Sequence, residues 1–302
     1  MKNTKLFITG SESFVGKEVI KFCQKNSYKY LAIDKNAKNT KYTKKFDIRS
    51  GKIHKIIPKN CVVIHLAAIS NNNDFDKNPL EGMNINIDGT INLFLNAKKK
   101  NCKKFIFAST EWVYGDQSFI LPKDENVTID IQKLHSKYAI SKILAETYLK
   151  TINYTNLILL RFGIIYSSKR SRGSAVESIF SKINSNNVIE IGSKLTSRRF
   201  VSLNDIVKGI FKAVKFEQKN GKSSCNVFNL TGNKLITLKE IINKSMNVHK
   251  KKVEIIEKDT KSSSIRNIIN IKAKKKLKWS PKSKLIDDLK ELKKYINKNS
   301  IH

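Results

Sequence analysis

The sequence is poor in cysteine and has no long apolar run. Its four cysteines, Cys23, Cys61, Cys102 and Cys225, lie far apart and form no C-x-x-C pair, so we expect small buried reduced thiols and no metal site. The apolar run Leu6–Thr9 is too short for a signal peptide, and no stretch approaches the length of a membrane span. We therefore expect a soluble, cytoplasmic protein with no membrane insertion.

Acidic residues and arginine are also scarce. The 25 acidic residues against 59 basic ones give a formal net charge of +34, and only seven of the basic residues are arginine. A polyanion such as nucleic acid, or an anionic membrane surface, is one explanation of such a charge. The lysines are scattered over every segment, however, and arginine is the better phosphate ligand. Lys, Asn and Ile are the residues of AT-rich codons, so we expect no nucleic-acid partner and interpret the densest lysine cluster, 272–278, as a solvated helix face.

Apolar and helical segments alternate through the first half of the chain. Its 302 residues allow one large or two modest domains. Near-continuous apolar runs of strand length lie at 5–9, 30–33, 61–66, 105–109 and 157–161. Strands that are buried on both faces have this pattern. Helical segments lie between the apolar runs, at 15–25, 79–100 and 133–152. The alternation predicts an α/β fold with a Rossmann-type, doubly wound parallel sheet.

Shorter elements with irregular joins follow Phe162. Strand-like and helix-like segments alternate there, the strands at 188–191 and 227–230 and the helices at 173–186, 204–216, 237–246 and 284–297. The chain has no internal repeat and no evident linker, and its one low-complexity tract is 71–73. We predict a cofactor-binding domain over 1–165 and a smaller mixed α/β region over 166–302 that selects the substrate, with a soft boundary that the chain can re-cross.

Residues 5–34 have the order of a dinucleotide-binding βαβ unit. Gly10 permits a tight turn after the first apolar strand, and Gly16 lets the following helix pack closely on that strand. The helix N-terminus then offers N–H groups to a pyrophosphate. Asp34 ends the second strand and can accept hydrogen bonds from the adenosine ribose hydroxyls, which favours NAD over NADP.

Two features of this unit leave other interpretations open. Ser13 replaces the middle glycine of the usual pattern; its Cβ crowds the pyrophosphate, although its hydroxyl can donate a hydrogen bond there. Lys35 follows Asp34 and could meet the 2′-phosphate of NADP. A flavodoxin-like domain that binds no dinucleotide can also show two glycines and an acid.

A tyrosine and a lysine share one helix face at Tyr138 and Lys142. Residues four apart in a helix lie on the same side, so the phenol and the ammonium meet. A neighbouring cation lowers the pKa of a phenol from about 10 toward neutrality, where it can act as a general base. Thr110 ends a predicted strand, and the carboxyl ends of parallel strands face the ligand crevice. The three side chains predict a hydride-transfer site at a secondary alcohol, whereas a surface aromatic with a nearby lysine is the plain alternative.

With these residues the chain resembles the extended short-chain dehydrogenase/reductases, and within them the nucleotide-sugar epimerase/dehydratase family. The resemblance covers nearly the whole length. In the first half the matches are 9–16 with T-G-x-x-G-F-I-G, Asp47-Ile48, 65–68 with H-L-A-A, 86–90 with N-V-x-G-T, 109–115 with S-S/T-x-x-V-Y-G, and Tyr138 with Lys142. In the second half, 192–205 resembles G-x-G-x-x-x-R-D-F-V-x-V-x-D and 278–281 resembles the terminal L-G-W-x-P.

The resemblance implies an NAD-dependent enzyme with Thr110, Tyr138 and Lys142 as its catalytic residues. The implied cofactor-binding residues are Gly10, Ser13, Phe14, Val15, Gly16, Asp34, Lys35, Asp47, Ile48, Leu66, Ala67, Ala68, Asn86, Tyr138 and Lys142. The implied residues for a nucleotide-diphosphate sugar are Ser70, Thr110, Glu111, Arg198 and Arg266, with the two arginines on the diphosphate. The resemblance also implies a homodimer formed through a four-helix bundle of 79–100 and 133–152.

The reactions of this family differ in the fate of a 4-keto sugar, which is formed when Tyr138 removes the 4-hydroxyl proton and hydride passes to NAD. The 4,6-dehydratases carry an acid pair after the catalytic threonine; here these positions are Glu111 and Trp112, and an indole cannot take a proton. This leaves 4-epimerases and 4-keto-sugar reductases. Because Asp34 favours NAD, we predict an NAD-dependent nucleotide-sugar 4-epimerase or close relative, with an NAD(P)H-dependent 4-keto-sugar reductase as the alternative. A dehydratase and a catalytically silent nucleotide-binding protein are further alternatives. Ile164 stands where epimerases often carry an Asn that touches the substrate, and Tyr166-Ser-Ser lacks the usual Y-G-P, which leaves the sugar open.

Overall fold

The chain groups into two compact units that are not consecutive halves of the sequence. The computed structural model describes residues 5–115, 118–152, 156–169, 173–217, 225–260 and 263–299. The first unit comprises Met1–Asp116, Thr128–Arg161 and Val207–Phe228, and the second comprises Gln117–Val127, Phe162–Ile206 and Asn229–His302. The chain therefore returns to the first unit after it has entered the second.

Strands and helices alternate along the first unit, and several strands of the second unit have only two residues. The strands are β1 (Leu6–Thr9), β2 (Tyr30–Asp34), β3 (Thr43–Lys45), β4 (Val62–His65), β5 (Lys104–Thr110), β6 (Phe119–Lys123), β7 (Leu157–Phe162), β8 (Ile165–Tyr166), β9 (Val188–Ile191), β10 (Ser197–Arg198), β11 (Val201–Ser202), β12 (Cys225–Leu230), β13 (Ile236–Thr237), β14 (Glu254–Glu257) and β15 (Ile265–Ile268). The α-helices are α1 (Phe14–Lys25), α2 (Asn72–Lys77), α3 (Pro79–Met83), α4 (Thr90–Lys99), α5 (Lys137–Thr151), α6 (Ala175–Ser185), α7 (Leu203–Lys215), α8 (Leu238–His249) and α9 (Leu285–Asn299).

The sheet of the first unit has the strand order β3-β2-β1-β4-β5-β7-β12. β1 pairs in parallel with β2 on one side and with β4 on the other, and the pairs β2–β3 and β4–β5 are also parallel. The chain adds strands outward from β1 first in one direction and then in the other. The switch point therefore lies between β1 and β4, where ligands of such sheets bind beyond the carboxyl ends of the strands. The predicted α/β fold with a doubly wound sheet is confirmed.

The central strands are buried because apolar side chains stand on both of their faces. Every residue of β1 and β4 is buried, and Phe105 and Phe107 of β5 have no exposed surface. Leu93 of α4 and Leu149 of α5 belong to the same apolar cluster. This core fixes the carboxyl ends of the strands, where the predicted residues Asp34 and Thr110 lie.

The predicted helix over 79–100 is interrupted. It consists of α3, a π-helical turn over Asn84–Gly89, and α4. Pro79 occupies the first turn of α3, and the side chain of Asn78 caps that helix by accepting a hydrogen bond from the backbone of Glu81. The tract 71–73 is ordered as well, because Asn71 caps α2 in the same way. π-Helical turns frequently mark functional sites, and this turn contains the predicted residue Asn86.

In the described part of the second unit the strands form three small sheets. Their orders are β13-β10-β15-β6, β8–β11 and β9–β14. Phe180 of α6, Ile241 of α8 and Leu289 of α9 pack into one apolar cluster. The helices predicted at 173–186, 237–246 and 284–297 are confirmed to within a few residues. The two-residue strands were not predicted, because a segment of that length shows no alternation.

The cysteines contradict one expectation. Cys225 is exposed, so the prediction of buried thiols is wrong at this position, the first residue of the outermost strand of the sheet. Cys61 and Cys102 lie 41 residues apart in the sequence, yet their Sγ atoms are 3.2 Å apart. They meet because they precede the neighbouring strands β4 and β5.

The lysines at the centre of the densest lysine cluster are exposed, as expected. The lysine cluster 272–278 contains a π-helical turn over Ala273–Leu277, in which Lys274, Lys275 and Lys276 are exposed. Among the described residues, no helix is both long enough and apolar enough to cross a membrane.

Candidate active site

Glycine is required at two positions of the turn between β1 and α1. Gly10 has φ of +76°, and a Cβ there would lie 2.6 Å from the backbone nitrogen of Ala67. A Cβ on Gly16 would lie 2.0 Å from the carbonyl oxygen of Gly10. Ser13 caps α1, because its hydroxyl oxygen accepts a hydrogen bond from the backbone N–H of Gly16 at 3.0 Å. This bond uses a lone pair of the Ser13 hydroxyl and not its proton.

A cavity opens beside this turn, at the carboxyl ends of β1, β2 and β4. The predicted cofactor residues that line it are Gly10, Ser13, Asp34, Lys35, Asp47, Ile48, Ala67 and Ala68. The lining residues that the sequence did not predict are Glu12, Ile33, Asn36, Phe46, Ile69 and Ile85. Each of these is the immediate neighbour of a predicted residue. Extending every motif by one position would therefore have found them.

Asp34 is held in a fixed orientation at the end of β2. Its Oδ2 accepts a hydrogen bond from the backbone N–H of Glu12 at 3.1 Å, and its Oδ1 accepts one from the backbone N–H of Asn36 at 2.9 Å. Each carboxylate oxygen can accept more than one hydrogen bond. The carboxylate is thus positioned in the cavity wall with acceptor capacity for a ligand hydroxyl.

An ion-pair cluster adjoins the same end of the cavity. Arg49 donates from Nε and Nη2 to the carboxylate of Asp47, with distances of 3.1 and 2.6 Å to Oδ2, and from Nη1 to Glu81 Oε2 at 2.6 Å. Lys35 Nζ lies 3.9 Å from the other oxygen of Glu81. The hydrogen bonds from Arg49 hold the pKa of Asp47 below its usual value. Arg49 and Glu81 were not predicted as site residues.

The remaining predicted cofactor residues lie outside the lining of this cavity: Phe14, Val15, Gly16, Leu66, Asn86, Tyr138 and Lys142. Asn86 is fully buried, and its amide bridges two elements. Its Oδ1 accepts from the backbone N–H of Ile69 at 2.8 Å, and its Nδ2 donates to the carbonyl of Ile69 and to Ser141 Oγ, each at 2.9 Å. Asn86 thereby fixes α5 relative to Ile69, a residue of the cavity wall.

His65 at the end of β4 is a structural histidine. Thr90 donates its hydroxyl proton to the carbonyl of Asn86 at 2.7 Å, so its oxygen accepts from His65 Nε2 at 2.8 Å. The Nδ1 atom then accepts from the hydroxyl of Thr9 at 2.7 Å. Burial and the nearby Lys142 hold the pKa of His65 well below its ordinary value. The neutral ring therefore ties β1, β4 and α4 together.

The structure brings Thr110, Tyr138 and Lys142 together in the first unit. Thr110 ends β5 and is buried, and its side chain interacts with that of Tyr138. Lys142 Nζ lies 5.9 Å from the centre of the Tyr138 ring and 4.5 Å from that of the Phe107 ring. The helical spacing of four residues places the phenol and the ammonium on one face of α5, as predicted.

The predicted effect of Lys142 on Tyr138 is wrong for the polypeptide alone. Burial raises the pKa of Tyr138 to about 12, and the hydrogen bond with Thr110 acts in the opposite direction. Burial also lowers the pKa of Lys142 to about 7, although the carboxylate of Glu146 acts to raise it. Both shifts disfavour the charged form, because both groups are removed from water. The sequence shows the spacing of the two residues but not their desolvation.

A buried ion pair that was not predicted stands next to this cluster. Arg161 donates from Nε and Nη2 to Glu146 at 3.1 and 2.7 Å, and both residues are almost fully buried. The hydroxyl of Ser109 donates to the same carboxylate. Glu146 lies one helical turn after Lys142 on α5, so this fixed negative charge acts on the lysine.

The predicted substrate residues fall in both units. In the first unit Ser70 is exposed and Glu111 is buried. In the second unit Arg198 and Arg266 are register neighbours on the parallel strands β10 and β15, so they occupy the same face of that sheet. Arg198 donates from Nη2 to Ser264 Oγ at 2.8 Å and from Nη1 to the carbonyl of Ser197 at 2.8 Å. The sheet thus brings together two arginines that are 68 residues apart.

The doubly wound sheet and the cavity at its switch point define a dinucleotide-binding α/β protein. The model of the NAD dependent epimerase/dehydratase family matches residues 6–230, which is more than half of the chain. The chain belongs to this family of enzymes.

Two relatives agree with this assignment, and a solved structure shares the fold. A putative UDP-glucose 4-epimerase of Methanocaldococcus jannaschii is 27% identical over 317 residues, covering 98% of this chain and 99% of that protein. A UDP-N-acetyl-alpha-D-glucosaminuronate decarboxylase of Bacillus cytotoxicus is 26% identical over 236 residues, covering 72% of this chain and 73% of that protein. The UDP-glucose 4-epimerase of Thermotoga maritima, solved with UDP-glucose, has a TM-score of 0.83 at 22% identity and covers 98% and 100% of the two chains. At that identity the likeness shows the fold alone.

Proposed function

We propose that this protein is an NAD-dependent nucleotide-sugar 4-epimerase. The observation that carries the proposal is the cluster of Thr110, Tyr138 and Lys142 in the unit that also holds the cavity at the β1–α1 turn. A hydroxyl, a phenol and an ammonium in one place can hold a sugar alcohol and move its proton. A relative that is named as a putative UDP-glucose 4-epimerase supports the same reaction.

The residues of the first unit fit NAD. The absence of a Cβ at Gly10 and Gly16 allows the tight packing of the β1–α1 turn, and Ser13, the N-cap of α1, lines the cavity, which suits a pyrophosphate at the helix N-terminus. In this proposal Asp34 accepts from the ribose hydroxyls, Asp47 and Ile48 contact the adenine, and Lys142 contacts the nicotinamide ribose. When bound, NAD supplies the capacity to accept a hydride and return it.

Tyr138 is the general base of the proposed reaction, and Thr110 hydrogen-bonds the same sugar oxygen. With a pKa of about 12 in the polypeptide alone, Tyr138 holds its proton at neutral pH. In this proposal a phenolate that forms on Tyr138 is stabilised by an ammonium on Lys142, which lies on the same face of α5. Buried Glu146 adds a negative charge that favours the ammonium.

The arginine pair of the second unit binds the diphosphate in this proposal. A guanidinium group presents paired donors that match phosphate oxygens, and Arg198 and Arg266 share one face of their sheet. The relatives described above are named for UDP-sugars or were solved with one. A uridine diphosphate sugar is therefore the first substrate to test.

Two other reactions begin from the same 4-keto sugar. A reductase consumes an external reduced cofactor. A decarboxylase, the activity named for the Bacillus cytotoxicus relative, releases the carboxyl group of a uronic acid, which a 4-ketone in the β position labilises. Dehydration is disfavoured, because Trp112 stands where an acid would be needed.

The first experiment is mass spectrometry of the small molecules that the purified, denatured protein releases. An epimerase recycles its cofactor, so we expect retained NAD. The protein is then incubated with UDP-glucose and, separately, UDP-glucuronate, and the products are followed by NMR without added cofactor. Inversion at C4 supports the proposal.

Other outcomes select the alternatives. Uptake of NADPH by a protein that retains no dinucleotide would indicate the reductase. Carbon dioxide released from UDP-glucuronate would indicate the decarboxylase. A protein that binds no dinucleotide under either condition would be a catalytically silent member of the fold.

A further inference from the structure

Two cations stand at the adenosine end of the cavity, in a chain whose formal net charge is +34. Lys35 lines the cavity next to Asp34, and Arg49 contacts Asp47, which also lines it. A phosphate ester carries up to about two negative charges at neutral pH and forms strong charge-assisted bonds with such groups. If Lys35 and Arg49 were available to a ligand, they would favour the binding of NADP. The 2′-phosphate of NADP is the group that distinguishes it from NAD.

Glu81 engages both cations. Its Oε2 is 2.6 Å from Arg49 Nη1, and its Oε1 is 3.9 Å from Lys35 Nζ. Because the other edge of the guanidinium is bound to Asp47, Arg49 is held by carboxylates on both sides. The cap on α3 also fixes the backbone of Glu81, whose N–H donates to Asn78 Oδ1 at 3.1 Å.

The carboxylates at this end of the cavity outnumber the cations. The carboxylates are those of Asp34, Asp47 and Glu81, and the cations are Lys35 and Arg49. A ribose 2′-hydroxyl can donate to a carboxylate, whereas a phosphate dianion is repelled by it and would have to displace Glu81 from its partners. The side chains of Glu81 and Arg49 are 31% and 32% exposed and that of Lys35 is 50% exposed, so salt screens this repulsion only in part.

We propose that Glu81 determines cofactor choice by engaging Lys35 and Arg49 and excluding the 2′-phosphate of NADP. This inference rests on the proposed NAD site. Its action differs from that of Asp34: Asp34 attracts the ribose hydroxyls of the favoured cofactor, and Glu81 acts against the competitor. Discrimination between two similar ligands commonly combines both devices.

The test compares dissociation constants of NAD and NADP, measured by titration calorimetry on full-length protein freed of retained nucleotide. Glu81→Gln keeps the size of the side chain and an oxygen for Arg49 but removes the charge. We expect NADP affinity to rise about tenfold while NAD affinity changes less than about twofold. Glu81→Lys should raise NADP affinity further, and both gains should shrink as salt is added.

Glu18→Gln is the matched control. Glu18 pairs with Lys21 on α1 of the same unit, so the substitution removes one carboxylate from an ion pair and changes the net charge equally. We expect its ratio of NADP to NAD affinity to equal that of the unsubstituted protein. An equal rise in both variants would assign the effect to total charge and overturn the role of Glu81.

Two further outcomes separate this inference from the proposed function. An unchanged ratio in Glu81→Gln, or an equal loss of affinity for both cofactors, overturns the role of Glu81 and leaves the NAD site standing. Failure of the unsubstituted protein to bind either dinucleotide overturns the proposed function itself.

Discussion

At the scale of the residue, the proposed chemistry depends on the phenol of Tyr138. Tyr138→Phe removes one oxygen and keeps the ring. We expect kcat to fall by about 10²- to 10⁴-fold, the usual contribution of an acid–base group, with NAD affinity nearly unchanged. Steady-state kinetics and NAD titration check the two expectations. Turnover at the original rate would remove Tyr138 from the mechanism.

Lys142 gives the stability of the protein a pH dependence of defined sign. Burial lowers its pKa from 10.5 to about 7, whereas the unfolded chain keeps the ordinary value. Below about pH 7 Lys142 is protonated in both the folded and the unfolded protein. Between about pH 7 and about pH 10.5 the unfolded protein binds more protons than the folded protein, so the free energy of unfolding rises with pH. In the Lys142→Met variant this contribution to the rise in the free energy of unfolding should be absent. Urea unfolding of both proteins across that interval is the measurement, and parallel curves would contradict the prediction.

The sequence predicted the residues of the proposed chemistry but not how their surroundings alter them. Tyr138 and its lysine were predicted because a spacing of four is visible in any helix. Its raised pKa was not, because burial depends on packing from distant segments. The ion pairs Arg49–Glu81 and Glu146–Arg161 escaped notice, since their members are 32 and 15 residues apart and only the fold brings them together.

At the scale of the element, Asn86 joins the π-helical turn, α5 and the residues after β4. Asn86→Ala would leave the N–H and carbonyl of Ile69 and the hydroxyl of Ser141 without their partner. A lost buried hydrogen bond costs about 1–3 kcal/mol, so we expect a loss of about 3 kcal/mol in the free energy of unfolding. Asn96→Ala is the control, because in the described part of the chain the Asn96 amide bonds within α4, to Asn92. Equal urea midpoints for both variants would refute the linking role.

The pairing of β10 with β15 also leads to a prediction. If Arg198 contacts the diphosphate, Arg198→Ala should raise KM for the nucleotide sugar by roughly ten- to a hundredfold, the cost of a charged hydrogen bond. Arg199→Ala is the control, since Arg199 bonds to Asn267 Oδ1 at 2.7 Å and to the carbonyl of Asn233 at 2.5 Å. The Arg199→Ala substitution should lower Tm and leave KM for the nucleotide sugar unchanged. A KM unchanged in Arg198→Ala would exclude the diphosphate role.

Long, strongly patterned elements were predictable, and short or interrupted ones were not. β1 and β4 are continuous apolar runs, which few other structures produce. β3 was missed because its residues, Thr43–Lys45, are polar and mostly exposed. The break at Asn84–Gly89 was missed because a π-helical turn adds a residue to a helical pattern without changing its composition.

At the scale of the whole molecule, the charge of +34 acts on every association of the protein. Like-charged copies repel one another, and salt screens this repulsion beyond about 8 Å at physiological ionic strength. Any homodimer must therefore bury enough apolar surface to overcome a repulsion that depends on salt.

We predict a homodimer formed through α4 and α5 that becomes tighter as salt is added. Leu144 and Tyr148 are exposed and one turn apart on α5, and Leu95 is exposed on α4. Leu144→Glu places a charge in this face and should shift the protein toward monomer in sedimentation equilibrium. Leu195→Glu, at a leucine of the second unit that is 59% exposed, adds the same charge elsewhere and should not. The prediction fails if the unsubstituted protein is a monomer at every salt concentration. It also fails if Leu144→Glu dimerises with unchanged affinity, because this face is then not the interface.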